Sequence, residues 1–291
     1  MNLETINLIK KDKIAIIKLD RPKLLNAVNE QLVWDFQKAT EDVKNDNDIK
    51  VVILKGSGRG FSAGADLSER GAGWKGSKDA LIRGYKPFFK NIIDMPKPVI
   101  GSIAGPAAGI GAAIAMSCDL RIMSDDSYIL SVFSNIALVP DGGLSWYLPK
   151  YMGFSKAYEY AIEAKKIPAD ECLKFGIANK VVPLDDLESK TLEWAQTLAK
   201  RSSQSLNHTK KLMKESLHVS YWDTFHNEAE IQNELTVSTP DAFSVPLLSV
   251  SLPDGVRGLE VLGRRRLKAI RVRSLKANVR LINNPVGKGR V

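Results

Sequence analysis

Apolar and polar positions follow two rhythms along this chain. Ile14, Ile16 and Leu19 mark a strand that Asp20-Arg21-Pro22 interrupts. Asn29 is placed to cap a helix, and Leu32, Val33, Phe36 and Ala39 recur behind it at helical spacing. Asn45-Asp46-Asn47-Asp48 reads as a turn, and residues 49–54 as the next strand, with a buried apolar run at 51–54. The chain thus opens as strand, turn, strand, helix, strand.

Residues 68–90 break the rhythm with Gly71, Gly73, Trp74 and Gly76 before a helix near 79–93. An irregular stretch of this length reads as a mobile flap over a site or as a surface loop, with Trp74 and Tyr85 as lid aromatics or anchors. Residues 98–118 then carry no charge over 21 positions. That length would allow a membrane span, and Gly101, Gly105 and Gly109 even keep a small-xxx-small spacing. Pro106, the Ala/Gly content and the immediate Asp119-Leu120-Arg121 predict instead a strand at 99–104, a tight Gly-Pro turn and a buried helix at 109–117. The start of such a helix offers unpaired N–H groups.

Further strands are expected at 120–123 and 128–132, followed by the turn Val139-Pro140-Asp141-Gly142-Gly143. Helices are expected at 154–165, 170–175, 185–203 and 205–235, the last with an apolar stripe of Leu206, Leu212, Met213, Leu217 and Val219. Strands first and long helices last predict an α/β core followed by a helical module. The expected division is a core at 1–200, a helical oligomerisation module at 201–250 and a basic tail at 251–291.

Composition changes this picture in one place. The formal net charge of +9 resides in the tail, where 251–291 holds 11 Lys/Arg against 2 Asp/Glu. Taking these from the totals of 42 and 33 leaves 31 of each sign in the rest of the chain. Arg264-Arg265-Arg266, Arg271 and Arg273 have no aromatic residue interleaved, so the tail reads as a solvated extension before it reads as a nucleic-acid or membrane arm. Cys118 and Cys172 make neither a disulfide framework nor a zinc cluster, which predicts a reducing cytoplasm and no metal. The N-terminal 17 residues carry charges inside their apolar run, unlike a signal peptide.

Gly58-Arg59-Gly60-Phe61-Ser62-Ala63 satisfies the loose dinucleotide pattern, but its strand is not the first element and no acidic strand end follows at the right distance. Free N–H groups in such a turn can instead serve developing negative charge on an oxygen.

A more specific likeness emerges from several motifs in order: Arg21-Pro22-Lys23-Leu24-Leu25-Asn26-Ala27, Gly60-Phe61-Ser62-Ala63-Gly64-Ala65-Asp66-Leu67, Pro96-Lys97-Pro98-Val99-Ile100, Gly105-Pro106-Ala107-Ala108-Gly109-Ile110-Gly111, Cys118-Asp119-Leu120-Arg121 and Val139-Pro140-Asp141-Gly142-Gly143. From about residue 5 to about residue 242 the chain resembles the enoyl-CoA hydratase/isomerase (crotonase) superfamily. The resemblance implies a crotonase-like spiral of ββα repeats, a homotrimer or dimer of trimers, and an acyl-CoA thioester substrate. Coenzyme A is then part of the substrate, and no separate cofactor, nucleic acid or membrane is expected.

By motif, the oxyanion-hole N–H groups fall to Ala65 and Ile110. The implied coenzyme-binding positions are Lys23, Leu25, Ala63, Ala65, Asp66, Leu67 and Ile110, with Lys23 as a cation for phosphate and the backbone around Leu25 and Ala63 for the adenine amine. The carboxylates of Asp66 and Asp119 read as structural, and His208, His218 and His226 as surface residues. Family hydratases use two glutamates, matched here by Ala113 and Phe133, neither of which moves a proton. Asp141 matches the carboxylate of the single-acid isomerases, so an enoyl-CoA isomerase is expected before a hydratase or another enolate reaction. Its pKa should be raised by an apolar pocket of Phe133, Ile136, Leu138 and Trp146. A dehalogenase would want a histidine within 67–90, and there is none. After residue 242 the chain departs from the family's usual ending, and a non-catalytic protein binding RNA or membrane through the tail is the alternative of another class.

Overall fold

The computed structural model describes residues 3–69 and 73–238. β1 (Ile6–Lys11) and β2 (Ile14–Leu19) pair antiparallel through Asp12 and Lys13, both at positive φ as a tight hairpin turn demands. α1 (Glu30–Asn45) starts where the Asn29 side chain accepts the Leu32 N–H at 3.0 Å. β3 (Val51–Gly56) returns parallel to β2. A continuous helical stretch follows in three parts: α2 (Ser77–Asp79), a wide π-type turn (Ala80–Tyr85) and α3 (Lys86–Ile93).

Two spiral turns come next. β4 (Val99–Ile103) lies in the large sheet, β5 (Pro106–Ala108) in a small one, and α4 (Ile110–Ser117) closes the turn. β6 (Leu120–Ser124) and β7 (Tyr128–Leu130) repeat the pattern. α5 (Leu144–Met152), α6 (Phe154–Ile162), β8 (Lys166–Pro168), α7 (Ala169–Lys174), β9 (Lys180–Val182) and α8 (Leu184–Ala199) complete the core, and α9 (Ser203–Glu215) and α10 (Tyr221–Ser238) follow. The large sheet runs β1-β2-β3-β4-β6-β9, parallel from β2 onward, and the small sheet runs β5-β7-β8. Phe36, Phe61, Phe88, Ile110 and Met116 belong to the main core; Ile14, Ile53, Ile100, Ile122 and Leu187 form a second one with α8.

The uncharged run 98–118 folds as predicted into strand, turn and helix, and every residue of α4 is buried. No described helix is long and apolar enough to cross a membrane. Arg121, 2% exposed, satisfies its guanidinium on the carbonyls of Met116, Cys118 and Ile177 and on the Tyr151 hydroxyl, closing the C-terminal end of α4 without a carboxylate.

Several expectations are corrected. The single helix at 205–235 is two helices, broken between Glu215 and Tyr221. Its supposed apolar stripe is not a buried one, since Met213, Leu217 and Val219 are exposed. α5 was not foreseen, because Trp146, Tyr147 and Pro149 obscure its helical period. The flap is anchored: Trp74 packs on Trp34 with ring centroids 5.5 Å apart, Arg83 lies 4.9 Å over Trp74, and Gln37 donates to the Gly84 carbonyl at 2.6 Å. Residues 70–72 of that segment, and the expectations for 239–291, lie outside the described residues.

Candidate active site

The site is assembled from backbone turns. Leu25 and Asn26 both take positive φ, which turns the Asn26 side chain inward. Fully buried, it donates to the carbonyls of Ser57 and Gly60 at 2.9 and 2.8 Å and accepts the Arg21 N–H at 3.0 Å. The first turn is thereby tied to the glycine loop after β3. Ser62 continues the link, donating from Oγ to the Asn26 carbonyl at 2.9 Å. Its own N–H donates to the Pro106 carbonyl at 3.0 Å, and its carbonyl accepts the Ala108 N–H at 2.9 Å.

This pairing brings the two glycine turns together. Gly64, at φ 101°, has no room for a side chain, because a β-carbon there would stand 2.9 Å from the Ala108 carbonyl oxygen. A β-carbon on Gly109, in turn, would stand 3.8 Å from the Gly64 Cα. Each of these glycines precedes one of the expected donors. Ile110 opens α4, and neither its N–H nor that of Ala65 has an acceptor among the described residues. The positive end of α4 lies at Ile110.

The turn holding Asp141 closes on the same place. A β-carbon on Gly142 would stand 2.5 Å from Ala113 Cβ, 2.8 Å from Ile110 Cδ1 and 3.1 Å from Phe89 Cζ. Asp141 is half-buried there, and its Oδ1 is buried without a hydrogen-bond partner. Burial alone pushes its carboxyl up to about 6. Its charge reaches Tyr85: burial first, and then Asp141, push the phenol up to about 12.

The apolar lining differs from the expected one. Phe133 is buried, and its ring tip lies 3.9 Å from a Gly109 β-carbon. Ile136, Leu138 and Trp146 are exposed: Ile136 ends a short helical turn (Phe133–Ile136), Leu138 follows it, and Trp146 lies on the side of α5 away from its buried Leu144 and Leu148. The apolar contacts of the Asp141–Gly142 turn come instead from Phe89, Ile110 and Ala113. Phe89 went unnoticed in the sequence because it lies far from Asp141 along the chain, and its signal was only a place on an amphipathic helix.

The expected coenzyme-binding positions gather at one edge. Lys23 is exposed on a short turn (Pro22–Leu24), and the Leu25 carbonyl accepts the Ala63 N–H at 2.8 Å. Asp66 is engaged: a hydrogen bond from the Ser68 hydroxyl, foremost, and the Arg21 guanidinium at 2.9 Å hold its carboxyl below its usual value. Leu67 is exposed at the start of the next turn. Asp119 accepts the Val99 N–H at 2.9 Å and pairs with Lys210 and Lys214, fastening α9 to the core. His208 is half-buried, its Nδ1 sealed from solvent, which corrects the surface reading; His218 and His226 are exposed.

A family model described as enoyl-CoA hydratase/isomerase matches residues 10–242. The chain is 31% identical over 235 residues to a probable enoyl-CoA hydratase of Rhodobacter capsulatus, covering 81% of this chain and 91% of that one. To the 1,2-epoxyphenylacetyl-CoA isomerase of Escherichia coli it is 28% identical over 225 residues, covering 76% and 84%. A solved enoyl-CoA hydratase from Bacillus anthracis superposes with a TM-score of 0.77 at 25% identity, covering 82% of this chain and 93% of that one.

Proposed function

The chain belongs to the enoyl-CoA hydratase/isomerase family, and from that footing we propose that it shifts the double bond of an unsaturated acyl-CoA with Asp141 as its single proton carrier. The observation that carries the reading is one carboxyl, raised to about 6 by burial, on a turn packed against the first residue of α4. The thioester oxygen sits between the N–H groups of Ala65 and Ile110. Asp141 takes a proton from C2 of a 3-enoyl-CoA, the two donors stabilise the dienolate, and the same carboxyl returns the proton at C4. Each donor contributes about 3 kcal/mol to the transition state, by analogy with oxyanion-hole deletions. A carboxyl near 6 serves both halves of this cycle, since neither its acid nor its base form is rare near neutrality.

Hydration is the second reading, favoured by the name of the Rhodobacter capsulatus relative. Ala113 and Phe133 weigh against it, because neither side chain can hold the attacking water. The deciding experiment incubates the purified chain with 3-enoyl-CoA and 2-enoyl-CoA and reads products by enoyl-thioester absorbance and mass spectrometry. Isomerisation lost in Asp141→Asn supports the proposal; full activity in that variant, or a product heavier by one water, removes it. Exposed Trp146, Phe154, Tyr221 and Trp222 supply apolar surface for the homotrimer or dimer of trimers. The buried, unpaired Cys118 and Cys172 accord with a cytoplasmic setting.

A further inference from the structure

Tyr85 ends the π-type turn Ala80–Tyr85, a wide turn that re-aims everything after it. Such turns are rare and concentrate at functional positions. Two contacts secure this one. Any side chain at Gly84 would meet the Trp74 ring at 2.7 Å, and Gln37 donates to the Gly84 carbonyl at 2.6 Å. From Tyr85 the chain continues as regular helix, so Tyr85 and Phe89, four residues apart, share one face. Phe89 shows where that face looks, since its ring tip lies 3.1 Å from a β-carbon on Gly142. On that turn, the buried Oδ1 of Asp141 lacks a partner among the described residues. Tyr85, half-buried on the helical face that Phe89 shares, is close enough for the charge of Asp141 to reach its phenol, and no side-chain hydrogen bond joins the two. A sealed acceptor such as Asp141 Oδ1 is one that native interiors rarely leave unpaired.

The geometry points to Tyr85 as the positioning residue of Asp141: with acyl-CoA bound, its phenol turns to donate to one carboxylate oxygen, a bond not made in this structure, so that the other oxygen is held toward the substrate carbon. The inference rests on the proposed role of Asp141 and adds the group that aims it. Tyr85 stays protonated throughout the cycle, because burial and the charge of Asp141 both oppose its ionisation. It therefore acts as a donor only. Ile110, Ala113 and Phe89, the side chains nearest a β-carbon on Gly142, bring no charge. Tyr85 is a titratable group that the charge of Asp141 reaches.

The test is a carbon-13 titration of the Asp141 carboxyl in aspartate-labelled protein, alone and with a saturated acyl-CoA, its signal assigned by its loss in Asp141→Asn. In Tyr85→Phe the midpoint rises by about one pH unit, the size set by one hydrogen bond to a charged acceptor. With 3-fluorotyrosine at position 85, a stronger donor of similar shape, it falls. In turnover, Tyr85→Phe lowers kcat about tenfold, leaves KM within about twofold and moves the acid limb of the rate profile upward with the midpoint. A midpoint that stays in place in both variants overturns the inference, whatever happens to kcat. If the midpoint moves but Asp141→Asn still isomerises, Tyr85 does aim Asp141 but the reading of Asp141 as the proton carrier fails.

Discussion

Ile110 and Gly142 meet across the site: a β-carbon on Gly142 would stand 2.8 Å from the Ile110 Cδ1. The first residue of the helix that offers an N–H therefore also supports the turn that carries the carboxylate. In its proposed role as an oxyanion donor, Ile110 acts through its backbone, so its side chain is free to take a second task. Isoleucine here packs an apolar side chain against the Asp141–Gly142 turn, which suits the proposed proton shift without addition of water.

That contact makes Gly142→Ala a sharp perturbation. The added methyl meets Ala113, Ile110 and Phe89 and also strains a backbone held at φ 59°. Stability should fall by about 1–3 kcal/mol in urea denaturation. On the proposed isomerase reading, turnover should fall about 100-fold, because a carboxylate displaced by about 1 Å no longer meets the substrate carbon. A variant with unchanged turnover would show that the position of this turn does not matter to the chemistry.

Asp141 should also leave a mark on stability with pH. Its carboxyl titrates near 6 in the folded chain, against about 3.9 when unfolded. Below pH 4 both forms are protonated and the group has no effect. From about 4 to 6 the unfolded chain ionises freely while the folded one resists, so folding weakens as pH rises; above 6 the deficit is constant. Asp141→Asn removes it and should be more stable than the parent by roughly 2 kcal/mol at pH 7, after allowance for solvent at its exposed side, and equal to it at pH 3.5. Paired denaturation curves at the two pH values check this. Equal stability at pH 7 would mean that the carboxylate is well solvated.

Trp74→Ala should loosen the flap. The change removes the stack on Trp34 and the platform under Arg83, contacts worth about 1–2 kcal/mol together. Trypsin should then cut within residues 75–90 several times faster, and kcat/KM should drop with it. Unchanged cleavage would mean that the Arg83–Asp79 ion pair at 2.9 Å holds the segment by itself.

Much of this architecture was legible in the chain. The caps and apolar periods around Asn29 and Val51 mark real elements, and the uncharged run at 98–118 yields its strand and helix because Pro106 and the glycines punctuate it. The turns holding Ala65, Ile110 and Asp141 could each be found as local patterns. Their meeting could not, because it depends on long-range bridges such as Ser62 to Ala107. The lining of Asp141 was misjudged for the same reason. Ile136, Leu138 and Trp146 are near it in sequence, whereas Phe89 and Ile110 are near it in space. Nor does composition reveal that Tyr85 ends a wide helical turn.

Asn26 is the residue whose structural weight the sequence concealed most. Its side chain serves the Arg21 N–H and the carbonyls of Ser57 and Gly60 at once, at 3.0, 2.9 and 2.8 Å, and it is fully buried. Asn26→Ala strands one donor and two acceptors away from water, at about 1–3 kcal/mol each before relaxation. A net loss of about 3–4 kcal/mol is expected in chemical denaturation. Asn26→Asp should fare as badly, since a carboxylate cannot donate to two carbonyls. The turn carrying Leu25 and Lys23 would then part from the glycine loop, and Ala65, bridged to Val28, would shift with it. Acyl-CoA binding measured by calorimetry should weaken in both variants at temperatures where they remain folded. Unaltered affinity in a folded Asn26→Ala would show that the expected coenzyme-binding positions keep their arrangement without this link.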